Sequence, residues 1–490
     1  MNISLLKDYF LSDNINFNLY AVYIIKNYYE INDAKKNIVA LEFLKSQMTK
    51  ENLLILTSLL NKNDKKLSYT ILYILINISY LSNGETLFTS DENICCNIAT
   101  FLGNNRYDSQ LLDCGIFLLY NITINKEVCE IFNKYKITEF YSEIYERNLL
   151  DKEFMRKIMT SITNIIHFEM DKPKKLIDKS IFMPCIKIIA TQLKPDLPPN
   201  LIHRYIFRIY ELSNLSDLNI SYEIFNSKIH KEFMSLYPKL DEKRELLKKN
   251  LENIISTKQQ IEEKNIEKIQ KDIDYYQSCC LLILKIFGKV MFNDGGILTQ
   301  TLINSGFPEL VYDLIHSHDI KVIKNVCFCL SNICAGTYGQ IAYFFRNNTL
   351  YDLLTVCKNI YEAIELTKVQ DEYYGQLKDT LREIIYVFVQ TISNSLTEKT
   401  VPFVKCNDFF VAKILVKGLE LYNGKDEDII FVIFEGIKKL YILNYEFDGK
   451  IIDIMEKYGL KEILEKIMIN KKLKTSEDAE ELYDALFGIL

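Results

Sequence analysis

The sequence predicts an all-α solenoid built from stacked helical repeats. Three observations lead there: few chain-breaking residues, amphipathic helical segments throughout, and one segment type that recurs at a nearly constant step. The chain has 490 residues, too many for a single globular core to be the default, yet only 16 Gly and 8 Pro, so long stretches run without the residues that end helices. Apolar residues make up 48% and charged residues 25%, ample for a large buried core. Apolar helical segments carry an Asn near their C-terminal ends at Asn77, Asn121, Asn164, Asn214, Asn332 and Asn394. The steps from 77 to 121 and from 121 to 164 are 44 and 43 residues, inside the roughly 40–47 residues of HEAT and armadillo units.

Taken in order, YTILYILINIS, LLDCGIFLLYNIT, EFMRKIMTSITNII and YIFRIYELSNLS are the long helices of successive units. The step from 164 to 214 is longer, and the Pro-rich LKPDLPPN at 193–200 absorbs it as an extended loop. Residues 239–275 are so rich in Lys and Glu that they read as an exposed helical insertion. CCLLILKIFGKVMFNDG follows as a unit whose Lys289 stands 43 residues before Asn332, where the other units have Asn. Gly306 and Pro308 then break the chain before LVYDLI, HSHD turns it, and a helix from about Ile320 to Ile333 ends at Gly336. Two more units fill 400–490. The predicted organisation is 1–238 as N-terminal repeats, 239–275 as the insertion and 276–490 as C-terminal repeats, about five units on either side.

Composition narrows the function. A formal charge of -6 and a pI near 5.7 leave no broad electrostatic footprint for nucleic acid. The 12 cysteines show no zinc-ligand spacing and read as reduced core thiols. The N-terminus lacks the pattern of a signal peptide, and no uninterrupted apolar run reaches the roughly 18 residues of a membrane span. No Gly-rich phosphate loop, nucleophile elbow or catalytic triad is legible. His316 and His318 have no third metal ligand nearby. The expectation is a non-enzymatic binding protein of cytoplasm and nucleus, without cofactor or metal, without membrane contact and without direct nucleic-acid binding.

One block is more specific. CFCLSNICAGTYGQI at 327–341 places Phe328, Ser331, Asn332, Ile333, Ala335, Gly336, Gln340 and Ile341 in a pattern that resembles the seventh repeat of the importin alpha family, the armadillo adaptors for nuclear localisation signals. Aligned outward from that block, LKDYFLSDNINFNLYAVYIIKNYYE looks like the opening of the first repeat. The Asn77, Asn121 and Asn164 helices then look like repeats two to four. The resemblance implies a right-handed armadillo superhelix whose third helices line a peptide groove. Asn amides there bond the backbone of an extended peptide, and aromatic side chains one turn earlier form slots for Lys and Arg stems. It implies a major site at Tyr73, Asn77, Phe117, Asn121 and Asn164, and a minor site at Lys285, Phe328, Asn332 and Asn394.

This chain has no Trp. At the slot positions it has Tyr73, Phe117, Thr160, Tyr210, Phe328 and Gln390, and a weaker or differently selective groove is expected. The implied partners are proteins with Lys/Arg-rich signals, with an export factor at the C-terminal repeats. Lys7 and Lys26 are the only basic residues among the first thirty, so coupling to importin beta through a basic N-terminal segment is not expected. The alternative reading is an armadillo scaffold for protein assembly that no longer reads basic signals; a basic or apolar groove floor favours it over the adaptor.

Overall fold

The computed structural model describes residues 49–488, apart from 81–83, 147–151, 174–176, 216, 258–262, 294–295, 425 and 471–473. The predicted first repeat therefore lies outside the described residues. The described residues form 23 α-helices and no strand. The chain divides into two compact units, Met1–Leu193 and Lys194–Leu490.

In the first unit, α1 (Lys50–Leu59) and α2 (Lys65–Ser79) pair, as do α3 (Glu92–Asn104) and α4 (Ser109–Ile122). The triplet α5 (Lys126–Lys134), α6 (Ile137–Glu146) and α7 (Lys152–Met170) follows, then α8 (Phe182–Gln192). The second unit begins with α9 (Pro199–Ser213). Its triplets are α10 (Leu218–Asn226), α11 (Ile229–Ser256) and α12 (Glu263–Asn293); α13 (Ile297–Asn304), α14 (Phe307–Ile315) and α15 (Ile320–Cys334); and α16 (Tyr338–Arg346), α17 (Thr349–Leu366) and α18 (Glu372–Asn394). Then come α19 (Thr397–Tyr422), broken by non-helical backbone from Cys406 to Phe409, α20 (Glu427–Ile442), α21 (Lys450–Lys457), α22 (Leu460–Ile469) and α23 (Ser476–Phe487). Two shorter helices and a longer third one is the armadillo pattern, and the fold is an all-α armadillo-type repeat solenoid.

Local chemistry sets these elements. Five of the third helices begin at an Asp whose carboxylate accepts a backbone N–H of the first turn: Asp64 from Leu67, Asp108 from Leu111, Asp319 from Lys321, Asp371 from Tyr373 and Asp426 from Ile429. An N-cap carboxylate satisfies one orphan donor and complements the helix dipole. Between the first and second helices one residue turns left-handed: Lys136 (φ 55), Lys228 (φ 61), Gly306 (φ 93), Asn348 (φ 64) and Gly459 (φ 88). That single residue redirects the chain into the second helix of the triplet.

The third helices pack in a row, α2 on α4 on α7 in the first unit, and α9, α12, α15, α18 and α20 successively in the second. Their apolar faces supply the core, with Ile71, Ile116, Ile162, Ile283, Leu330 and Phe388 fully buried. The helix α12 holds an 18-residue window apolar enough to cross a bilayer, but 61% of that window is buried inside the protein, as the central helix of a stack requires. The described residues of the charged stretch, 239–257 and 263–275, belong largely to α11 and α12 and are mostly exposed. Arg244 is buried within it against Asp241, 2.7 Å, and Glu245, 3.0 Å.

Candidate functional site

Along five of the third helices one stripe, spaced by three or four, carries the predicted positions, and all of it but Asn121 and Asn164 is at least partly exposed. On α2 it runs Tyr69, Tyr73, Asn77; on α4, Asp113, Phe117, Asn121; on α7, Arg156, Thr160, Asn164; on α15, Lys324, Phe328, Asn332; on α18, Arg382, Tyr386, Gln390, Asn394. Helical geometry makes these stripes run down one side of each helix. The predicted site residues thus fall into two sets, one per unit: Tyr73, Asn77, Phe117, Asn121 and Asn164 in the first, Lys285, Phe328, Asn332 and Asn394 in the second.

The amides are used between neighbouring helices. Asn121, 6% exposed, donates from Nδ2 to Ser79 Oγ on the preceding third helix at 2.8 Å. Asn332 donates to the Gly288 carbonyl at 3.0 Å, and Asn394 to the Cys334 carbonyl at 3.0 Å. Asn77 donates to Tyr73 one turn back in its own helix at 2.8 Å. Asn164 is buried, 8% exposed. Asn121, Asn332 and Asn394 pin one repeat to the next, and Asn77, Asn332 and Asn394 remain half-buried, each on the stripe of its own helix.

The aromatic positions are occupied from within. The Lys157 ammonium lies 4.1 Å from the centre of the Phe117 ring and 4.6 Å from that of Phe154, and 2.9 Å from the Glu153 carboxylate. Phe117 itself sits among Tyr80 and Tyr120. An ammonium between two ring faces and a carboxylate is how an aromatic slot holds a lysine, and here the lysine comes from the next repeat. In the second unit Lys285 stands 5.9 Å over the Tyr210 ring. Sequence reasoning missed Lys157; its signal was a lysine one turn before Thr160, the position that follows Phe117 by one repeat.

Phe328 rests against Gly288, where a Cβ would come within 2.3 Å of the ring. Glycine is what admits the ring between the turns of α12 that carry Lys285 and Lys289. Beside it a cleft of about 440 Å³ is lined by Phe292, Asn332, Thr337, Gln340, Tyr386 and Gln390. Gln340 forms a capping box with Thr337 and donates from Nε2 to the Gly296 carbonyl at 2.8 Å. A Cβ at Gly336 would lie 2.3 Å from Gln340 Oε1. The most specific block of the sequence, 327–341, is therefore occupied with shaping this joint between repeats. In the second unit three cations of these helices are matched by carboxylates: Arg208 by Glu211, Lys324 by Asp379 at 2.6 Å, Arg382 by Asp426 at 2.7 Å. Burial pushes the Glu383 carboxyl up, against the charge of neighbouring Arg382.

No protein-family profile matches the chain, and no curated protein matches it. Among solved structures, an engineered protein superposes over 99% of both chains with a TM-score of 0.54 at 13% identity. A designed armadillo repeat protein in complex with the peptide (KR)4 covers 61% of this chain and 99% of its own, with a TM-score of 0.41 at 14% identity. At such identities the likeness concerns the fold alone, which is the all-α armadillo-type stack described above.

Proposed function

We propose that this chain is a non-enzymatic armadillo scaffold that holds an extended polypeptide segment along its third helices. The observation that carries the reading is that each unit holds half-buried amides on the stripes of its third helices, Asn77 in the first and Asn332 and Asn394 in the second, fixed by their own Nδ2 bonds. With the donor side anchored, each amide oxygen is oriented toward a peptide N–H, which fixes backbone without reading side chains.

The narrower reading is a nuclear import adaptor for Lys/Arg-rich signals, shuttling between cytoplasm and nucleus, with cargo proteins and an export factor as partners. The 327–341 block favours it, with Phe328 and Asn332 on the face. Against it, Phe117 already carries Lys157, and Lys285 and Lys289 present positive charge to an incoming basic segment. The scaffold reading is accordingly ours. Fluorescence-anisotropy titration with a labelled Lys/Arg-rich peptide and a neutral peptide of equal length separates the two. The adaptor expects the basic peptide to bind at least about tenfold tighter; the scaffold expects no such preference, and expects Asn332→Ala with Asn394→Ala to weaken whatever binds. Peptide affinity that ignores those two substitutions would remove the third-helix face from consideration.

A further inference from the structure

We infer that the third-helix face of the second unit takes an acidic extended peptide, whose carboxylates meet Lys285 and Lys289 of α12. The inference rests on the scaffold reading and names the chemistry of its partner.

Along the row from α9 to α18 three stripe cations carry their own counter-ion, and among the described residues these two lysines carry none. Arg208, Lys324 and Arg382 each have a carboxylate of their own chain within ion-pair distance. Among the described residues neither Lys285 nor Lys289 has one, and Lys285 has only the Tyr210 ring, at 5.9 Å, near the outer limit of about 6 Å for such an attraction. They lie four residues apart, one helical turn, so two like charges stand on the same stripe about 6 Å apart. Both are half-buried, which lays their stems along the surface and turns the ammonium groups to solvent. Uncompensated like charges on one stripe oppose folding, and a carboxylate-bearing ligand relieves them.

The surroundings specify the rest of the ligand. The Phe328 ring packed on Gly288 lies between the turns bearing the two lysines, and Phe292, 71% exposed, borders the adjoining cleft. An extended segment turns successive side chains to opposite sides. A segment crossing α12 therefore offers neighbouring acidic side chains to Lys285 and Lys289, one to each, while an apolar residue enters the cleft beside Asn332. A polyphosphate fits less well. Tracking a nucleic-acid backbone takes a run of unpaired cations, and Arg208, Lys324 and Arg382 on the flanking helices α9, α15 and α18 are each paired, with Glu211, Asp379 and Asp426.

The test is anisotropy with three labelled peptides of equal length, repeating Glu-Glu-Ser, Lys-Lys-Ser and Asn-Asn-Ser, at low and high salt. The acidic peptide is expected to bind about tenfold or more tighter than the neutral one, with the advantage shrinking as salt rises. Lys285→Ala/Lys289→Ala should abolish the preference, and Lys285→Glu/Lys289→Glu should transfer it to the basic peptide. Circular-dichroism melts confirm that both variants stay folded. Equal binding of all three peptides, weakened by Asn332→Ala, overturns this inference and leaves the scaffold reading standing; binding of none overturns both. A single-stranded oligonucleotide that binds more tightly than the acidic peptide, and is lost in the double variants, assigns the lysines to nucleic acid and overturns it as well.

Discussion

At the residue scale, one side-chain amide serves two ends. Asn121 is nearly enclosed and holds α4 to α2 through Ser79, whereas Asn77 bonds only its own helix and faces outward. Asn121→Ala therefore removes a buried donor and leaves the Ser79 hydroxyl with one partner fewer, at a cost of about 0.5–1.5 kcal/mol. Asn77→Ala breaks a local bond that water replaces, and its effect on stability should be smaller. Urea denaturation of the two variants side by side checks the ordering; equal losses would mean that the Asn121–Ser79 bond contributes nothing beyond a local contact. The sequence placed both residues on the same stripe through their 44-residue spacing. It could not say that one amide was already committed, because the hydroxyl that commits it comes from the preceding repeat.

At the element scale, the joint between first and second helices is the weak point of each triplet. Lys136 and Lys228 take the left-handed backbone that Gly306 and Gly459 adopt freely at the equivalent place. A residue with a Cβ is strained there by about 1–2 kcal/mol. Glycine relieves this, and its greater freedom in the unfolded chain takes back part of the gain. Lys228→Gly is expected to stabilise the protein by about 0.5–1 kcal/mol, read as a higher denaturation midpoint with unchanged m-value. A drop in the midpoint would show that the side chain holds the joint by other contacts. Helix existence and the third-helix boundary near Ile320 were legible from apolar spacing and from the Asp and Gly that flank the segment. The left-handed joints were not, since a Lys carries no signal for that backbone.

At the scale of the whole molecule, stability should follow pH through a histidine in the stack. His230 is 3% exposed, stacks on Phe225 at 4.5 Å, and neither ring nitrogen has a hydrogen-bond partner. Burial, with the charge of Lys231, holds its pKa at about 4, below the usual 6.5. Above 6.5 the ring is neutral in both states and adds no pH dependence. Between 6.5 and about 4 the unfolded chain binds a proton that the folded one refuses, so stability falls across that window by up to about 3 kcal/mol. His230→Phe should flatten the melting temperature between pH 7 and pH 5 without lowering it at pH 7. A slope that survives the substitution assigns the dependence to other groups. Below the window, carboxylates continue the trend. The bond to Lys65 holds Asp108 low, and at Asp426 burial pushes up but Arg382 brings the group below its usual range. Stability from such depressed carboxylates is present above the unfolded value and lost as pH falls through the folded one.

The repeat and the helical class were legible in the sequence, as was the stripe shared by successive third helices, because these depend on local spacing: apolar positions three or four apart and one step of 40-odd residues between units. Asn77, Asn332 and Asn394 lie half-buried on that stripe. The state of each charge and amide was decided only by the tertiary structure. Lys157 meets Phe117 across a 40-residue separation, Asn332 meets Gly288 across 44, and Arg382 meets Asp426 across 44. Among the described residues Lys285 and Lys289 have no such carboxylate, only the Tyr210 ring near Lys285. Whether a groove attracts acid or base depends on which cations are already neutralised, and neutralisation is a contact between repeats that no spacing within one repeat encodes.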